Sequence, residues 1–406
     1  MTDSISSFTL APGFRAAATA CGLKPSGNLD LALIAADRPC SAAGVFTTNR
    51  VKAAPVLYDQ QLLAQNAGSI RAVITNAGNA NACTGPQGLA NTRRAAELTA
   101  YGLRCQPDQV LVLSTGIIGR QLDMDKLTQG IATVTSPAAQ AGAPIAARAI
   151  MTTDTRPKVA RAVVEIAGRP VTIAGMCKGA GMIHPNMATM LAIVTTDAAV
   201  EPGLLGELLR EAAGKSFNCI SVDGDMSTND TLLLLASGAS DVQIGGDAAS
   251  RENFAAALTA LCADLAKQVA RDGEGATRLI EIRVAGAADA AQAHQVADSI
   301  ARSPLFKCAV HGGDPNWGRV LCAAGYSGAD LDADRLSLSF GRPGGAQVAV
   351  VSGGLPLEYA EREAAALLRE DPVYVNLDLG LGDADATVWT CDFSKEYVEI
   401  NAHYTT

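Results

Sequence analysis

The chain is poor in the residues from which several familiar sites are built. Histidine occurs four times and tryptophan twice in 406 residues, and aromatic residues make up 4%. A multi-histidine metal centre or an aromatic platform for stacking nucleobases therefore lacks material. The ten cysteines include no Cys-x-x-Cys pair, and several, such as Cys262 and Cys322, sit among apolar neighbours. They read as buried free thiols of a reducing compartment, with no metal bound. Cys83 and Cys177 lie near segments considered below, but neither is given chemistry. No apolar stretch approaches the roughly 20 residues that span a bilayer. The first 21 residues lack a basic segment followed by an apolar core, so the expected location is the cytoplasm. Basic residues do not cluster, and the net charge is −9 with a pI near 5.0. Nucleic acid and anionic membranes are disfavoured as partners. Neither a Gly-x-Gly-x-x-Gly turn after a strand nor a phosphate loop is present.

What the chain has is glycine and apolar residues: 39 glycines, 48% hydrophobic and 18% charged. That composition describes a folded globular chain, and its length predicts two lobes. Strand patterns fall at 29–35, 71–75, 109–114, 162–166, 171–174, 190–195, 218–222, 232–236, 278–284, 336–340, 348–352, 373–378 and 386–392. Helical patterns fall at 89–101, 137–150, 203–215, 250–270, 287–301, 316–324 and 356–368. The mixture predicts an α/β sandwich. The final stretch, Tyr397-Val-Glu-Ile-Asn, alternates like a strand and predicts an anchored chain end.

The most unusual segment runs over 177–198. A loop carrying Gly179, Gly181 and Pro185 has one formal charge, Lys178, and leads into an apolar strand that opens on Thr189. A threonine hydroxyl is a poor nucleophile without a base beside it. Cutting the Ala188–Thr189 bond would create an α-amino group with a pKa of about 7.7–8 on the same residue. That amine could serve as general base near neutral pH. The small Ala188 and the glycines allow the backbone to bend as such a cut requires. The residues alone describe Thr189 more readily as an ordinary β-branched strand residue, which most such threonines are.

The run Lys178-Gly-Ala-Gly-Met-Ile-His-Pro-Asn-Met-Ala-Thr-Met-Leu resembles the self-processing segment of the ornithine acetyltransferase (glutamate N-acetyltransferase) family of arginine biosynthesis. The likeness covers nearly the whole chain, through Gly44-Val-Phe-Thr-Thr-Asn, Thr75-Asn-Ala-Gly-Asn-Ala-Asn, Ser114-Thr-Gly-Ile-Ile-Gly and Met151-Thr-Thr-Asp-Thr. It continues through Ser221-Val-Asp-Gly-Asp-Met-Ser-Thr-Asn-Asp, Arg271-Asp-Gly-Glu-Gly-Ala-Thr and Gly313-Asp-Pro-Asn-Trp-Gly-Arg. The resemblance implies an αββα-type fold, similar to but distinct from N-terminal-nucleophile hydrolases. It implies an α chain, 1–188, and a β chain, 189–406, that remain associated and pair as α2β2.

The resemblance also implies site residues. Thr189 is the nucleophile, and Thr115 with Gly116 forms the oxyanion hole, expected as a sharp turn after the strand with a helix beginning near Arg120. Thr152, Lys178, Thr189, Glu274, Asn401 and Thr406 bind substrate. Lys178 suits an amino-acid carboxylate, and Glu274, between two glycines, suits the substrate's amino end. Asp223, Asp225 and Asp230 lack the spacing of a calcium loop and read as turn formers. His184 before Pro185 reads as structural, and Asn76, Asn79 and Asn81 read as turn formers near the pocket. The implied reaction moves acetyl from N2-acetyl-L-ornithine to L-glutamate through a Thr189 acetyl-enzyme, without metal or cofactor. Acetyl-CoA as a second acetyl donor is left open. The alternative is a self-cleaving aminopeptidase or amidase with water as acceptor.

Overall fold

The computed structural model describes residues 3–139, 142–184 and 190–403. Ala188, Thr189 and Thr406 lie outside the described residues. Packing divides the chain into two units, one of Met1–Asn218 with Met226–Val269 and one of Cys219–Asp225 with Ala270–Tyr404. Two lobes were expected from the length alone.

The first unit is organised by one long strand. Its strands are β1 (Phe14–Thr19), β2 (Leu31–Phe46), β3 (Ile70–Asn79), β4 (Val110–Ile117), β5 (Lys158–Ile166), β6 (Arg169–Lys178), β7 (Leu191–Thr196) and β8 (Thr231–Ala236). They lie in the order β4-β3-β2-β8-β7-β6-β5, with β1 also on β2. The sixteen residues of β2 serve two ladders. Its first half pairs with β1 and β3, its register shifts after Ala35, and Ser41 to Phe46 pair with β8. Side chains alternate across a strand, so each ladder has an inner and an outer face. Ile34, Val73 and Leu111 of one ladder share a buried core with Met176, Ile193 and Leu233 of the other. The outer face of the first ladder, including Leu33, Ile74 and Val112, packs on helices Gly85–Leu103 and Met124–Thr135 through Ala96, Leu127 and Ile131. On the second ladder, Gly175 faces Leu261 and Leu265 of helix Ala248–Arg271. The layers run helix, sheet, sheet, helix, which is the expected αββα architecture.

The second unit holds β9 (Leu279–Ala287), β10 (Ser337–Gly341), β11 (Gln347–Ser352), β12 (Leu355–Pro356), β13 (Val373–Asp378) and β14 (Ala384–Cys391), ordered β12-β11-β10-β13-β9-β14. Helix Ala290–Ala301 packs on β9 and β14. Among the described residues no helix is long and apolar enough to cross a membrane.

Several expectations change. The chain end forms a helix, Lys395–His403, in place of a strand. Ser394 Oγ accepts from the Glu396 N–H at 3.1 Å, as a helix cap does, and Phe393 stacks on Tyr397 one turn on, with ring centroids 4.8 Å apart. Residues 218–222 make a 3-10 turn, Phe217–Cys219, and a single bridge from Ile220 to Trp389. Gly224, at φ +81°, and the Asp223–Asp225 turn then divert the chain from further pairing. The helix expected over 137–150 is Ala143–Ala149, and the one expected near Arg120 begins at Met124, capped by Asp123. Cys308 and Cys322 are exposed, because local apolar neighbours do not decide which face of a helix a residue occupies.

Candidate active site

The apolar run Val110-Leu-Val-Leu drives β4 into the sheet, and the strand carries Thr115 and Gly116 at its end instead of in a turn beyond it. There β4 lies parallel to β3, with Asn76 opposite Ser114, Ala77 opposite Thr115 and Gly78 opposite Gly116. Gly116 has φ +131°, and a β-carbon on it would come within 2.3 Å of the Gly78 carbonyl carbon. Only glycine fits there. A set of buried amides fixes this end. Ser114 Oγ donates to Asn76 Oδ1 at 2.6 Å, and Asn76 Nδ2 donates to the Asn79 carbonyl at 2.8 Å. Asn229 Nδ2 donates to the carbonyls of Ser114 and Ala80, both at 2.7 Å. Asn76, read from sequence as a turn former, is thus a brace of the Thr115 strand together with Asn229, whereas Asn79 Oδ1 accepts from the Asn81 N–H at 2.8 Å as a turn does.

Lys178 closes β6 on the same inner face as Ala174 and Met176, and Thr115 shares the inner face of Leu111 and Leu113. The two side chains meet: Lys178 Nζ donates to Thr115 Oγ1 at 3.3 Å, with Lys178 5% and Thr115 9% exposed. A hydroxyl has one donor and two acceptor sites. With an acceptor site taken by an ammonium group, the Thr115 O–H is left to donate. Thr115, Lys178, Met190, Ser227, Asn229 and Asp230 line a small pocket of about 10 Å³, room for a single water molecule. Asp230, read from sequence as a turn residue, is thus part of the pocket wall.

Beside Lys178 lies a buried ion pair that sequence reasoning missed. Asp154 Oδ1 accepts from Lys158 Nζ and from the Gly179 N–H, each at 2.6 Å, and its Oδ2 accepts from the Thr152 N–H at 2.9 Å. Both paired side chains are inaccessible to solvent. Burial by itself would raise the Asp154 carboxyl. The ammonium groups of Lys158 and Lys178 and the Gly179 N–H outweigh it and hold the carboxyl well below the usual range. The one available signal was a lone charge inside a threonine run. Lys24 also reaches this region: its stem lies over Gly78 and its Nζ donates to the carbonyls of Leu29 at 2.6 Å and Ala149 at 3.3 Å.

In the second unit Glu274 and Asn401, 127 residues apart, meet at 2.8 Å, Asn401 Nδ2 donating to Glu274 Oε2. Gly275, at φ +68°, lies so close that a β-carbon would come within 2.5 Å of the Tyr397 nitrogen, and Ser394 Oγ donates to its carbonyl at 2.6 Å. The Asp272-Gly-Glu-Gly loop is thereby docked on the terminal helix. Among the described residues no group of three or more His, Cys, Asp or Glu could hold a metal ion.

The sequence matches the description ArgJ family over residues 15–406. The chain belongs to the ArgJ family. Similar ArgJ relatives include the arginine biosynthesis bifunctional protein ArgJ of Symbiobacterium thermophilum, 48% identical over 401 residues and 98% of each chain. The protein of the same name from Synechocystis is 47% identical over 411 residues, 98% of this chain and 97% of that one. Among solved structures, ArgJ from Bacillus halodurans aligns at 41% identity with a TM-score of 0.50, covering 52% of this chain and 98% of that chain. The enzyme class that the resemblance implied, ornithine acetyltransferase, follows from ArgJ membership. Within this ArgJ chain, Thr115, Gly116, Lys178 and the Thr152 backbone converge in the first unit, and Glu274 joins Asn401 in the second.

Proposed function

We propose that the protein transfers acetyl from N2-acetyl-L-ornithine to L-glutamate through an ester on Thr189. The reading is supported above all by one observation. Thr115, Lys178 and Met190, the residue covalently next to Thr189, line the same pocket. Cleavage between Ala188 and Thr189 frees the amine that activates the hydroxyl, and Thr189 Oγ attacks the acetyl carbonyl carbon. The oxyanion is held by Thr115 and Gly116. Ornithine leaves with a proton from the Thr189 amine, and the glutamate amine then attacks the ester carbon and restores the hydroxyl. Thr152, Lys178, Glu274, Asn401 and Thr406 bind the amino-acid parts of the substrates.

The chains 1–188 and 189–406 stay together in this reading because β6 precedes the cut and β7 follows it, yet the two pair residue for residue from Ile173 with Thr196 to Lys178 with Leu191. The solved Bacillus halodurans chain, spanned by about half of this one, agrees with a two-chain product. We assign the enzyme to the cytoplasm as an α2β2 assembly that needs no cofactor. The word bifunctional in its relatives' names favours acetyl-CoA as a second acetyl donor.

The test is one preparation resolved on a denaturing gel, sequenced from its new N-terminus and assayed for transfer with and without glutamate. Two chains, a start at Thr-Met-Leu-Ala-Ile and parallel double-reciprocal lines are expected. Thr189→Ala should abolish both cleavage and transfer; an active Thr189→Ala enzyme overturns the assignment. Acetate released at the same rate without glutamate would instead identify a hydrolase.

A further inference from the structure

Asp154 stands at a junction. Its loop lies between helix Ala143–Ala149 and β5, and Lys158, the first residue of β5, lies opposite Cys177 of β6. One carboxylate oxygen binds Lys158 Nζ and the Gly179 N–H, and the other binds the Thr152 N–H. Asp154 therefore ties the backbone on which Thr152 is carried to the backbone that follows Lys178. It is buried, as are Lys158 and Lys178.

We propose that the Asp154–Lys158 pair is a positioning device for substrate binding: it sets Thr152 and Lys178 relative to each other so that both meet the same amino-acid substrate. This rests on the acetyl-transfer reading above. Asp154 touches no reacting atom in this scheme and acts through the two residues it holds. A loss of uniform binding raises KM and leaves kcat in place, whereas a purely structural pair would, on removal, lower the amount of active enzyme and leave KM alone.

Two variants test it, each assayed per cleaved active site against N2-acetylornithine. Asp154→Asn keeps the shape but removes the negative charge that Lys158 binds. The double variant Asp154→Leu with Lys158→Met removes both charges together, which buried pairs commonly tolerate without loss of folding. In each folded variant KM for N2-acetylornithine should rise about tenfold or more, with kcat changed by less than about threefold. Unchanged KM in either folded variant overturns the proposal. If Asp154→Asn does not fold, the double variant decides. A wild-type enzyme that fails to transfer acetyl would refute the functional reading itself and is scored separately.

Discussion

Gly116 faces Gly78 across two parallel strands so closely that a β-carbon on Gly116 would sit 2.3 Å from the Gly78 carbonyl carbon and 2.5 Å from the Asn79 nitrogen. Real β-carbons do not approach backbone that nearly, and φ +131° already disfavours any other residue. Gly116→Ala must therefore splay the ends of β3 and β4 and move the groups proposed as oxyanion donors. Loss of one such donor costs about 10²–10³ in kcat. The expected variant folds with a lowered Tm and transfers acetyl at least about a hundredfold more slowly. A wild-type rate would remove Gly116 from the oxyanion hole.

Glu274 and Asn401 make a second prediction. Asn401→Ala deletes one hydrogen bond to a buried carboxylate, with a stability cost of about 1–3 kcal/mol. Glu274→Gln keeps the shape and drops the charge. If Glu274 receives the amino end of the substrate, Glu274→Gln raises KM for N2-acetylornithine more than Asn401→Ala does. Equal KM values for Glu274→Gln and wild type would take Glu274 out of substrate binding.

Asp59 predicts a pH effect on stability. It is fully buried on helix Ala54–Asn66, accepts from the Val112 N–H at 2.9 Å through Oδ1, and its Oδ2 has no hydrogen-bond partner. Burial pushes its carboxyl well above the ordinary value, outweighing the Val112 hydrogen bond. A raised folded-state pKa means that this group's contribution is fully present below the unfolded pKa of about 3.9. It is lost progressively as pH rises from there through the folded value. Urea unfolding from pH 4 upward should show wild-type stability falling relative to Asp59→Asn, which does not titrate. Parallel curves for the two proteins would mean that Asp59 is charged in the fold.

Thiol labelling checks the packing independently of function. Cys83, Cys308 and Cys322 are exposed, whereas Cys40, Cys177, Cys219, Cys262 and Cys391 are buried. Burial raises the Cys40 and Cys262 thiols to about 12, so they are also poor nucleophiles. Native protein should label first at the three exposed positions, as read by peptide mass spectrometry. Early modification of Cys177 or Cys262 would contradict the packing of helix Ala248–Arg271 on β6.

Much of the architecture was legible because it is local. The apolar runs at 190–195 and 232–236 reappear as β7 and β8 to within a residue, and the run at 71–75 lies within β3, because short apolar runs of this length suit buried strands. The terminal helix was not legible. Five alternating residues suit a strand, and what decided otherwise was the turn-spaced contacts of Phe393, Tyr397 and Asn401. Helix Ala54–Asn66 was missed because its buried residues include Asp59, which breaks the apolar pattern.

By itself the sequence determined the family, the αββα layering and the identities of Thr115, Gly116, Lys178, Glu274 and Asn401 as site residues to test. Each was carried by residue type at a fixed place in a motif, information that lies along the chain. Only the tertiary structure decided that Lys178 donates to Thr115 across 63 residues, that Asn229 braces Ser114, and that Asp154 binds Lys158, Gly179 and Thr152 at once. Those contacts depend on which strands become neighbours and which face each residue takes. Strand order is set by the pairing of distant segments, and no local pattern encodes it.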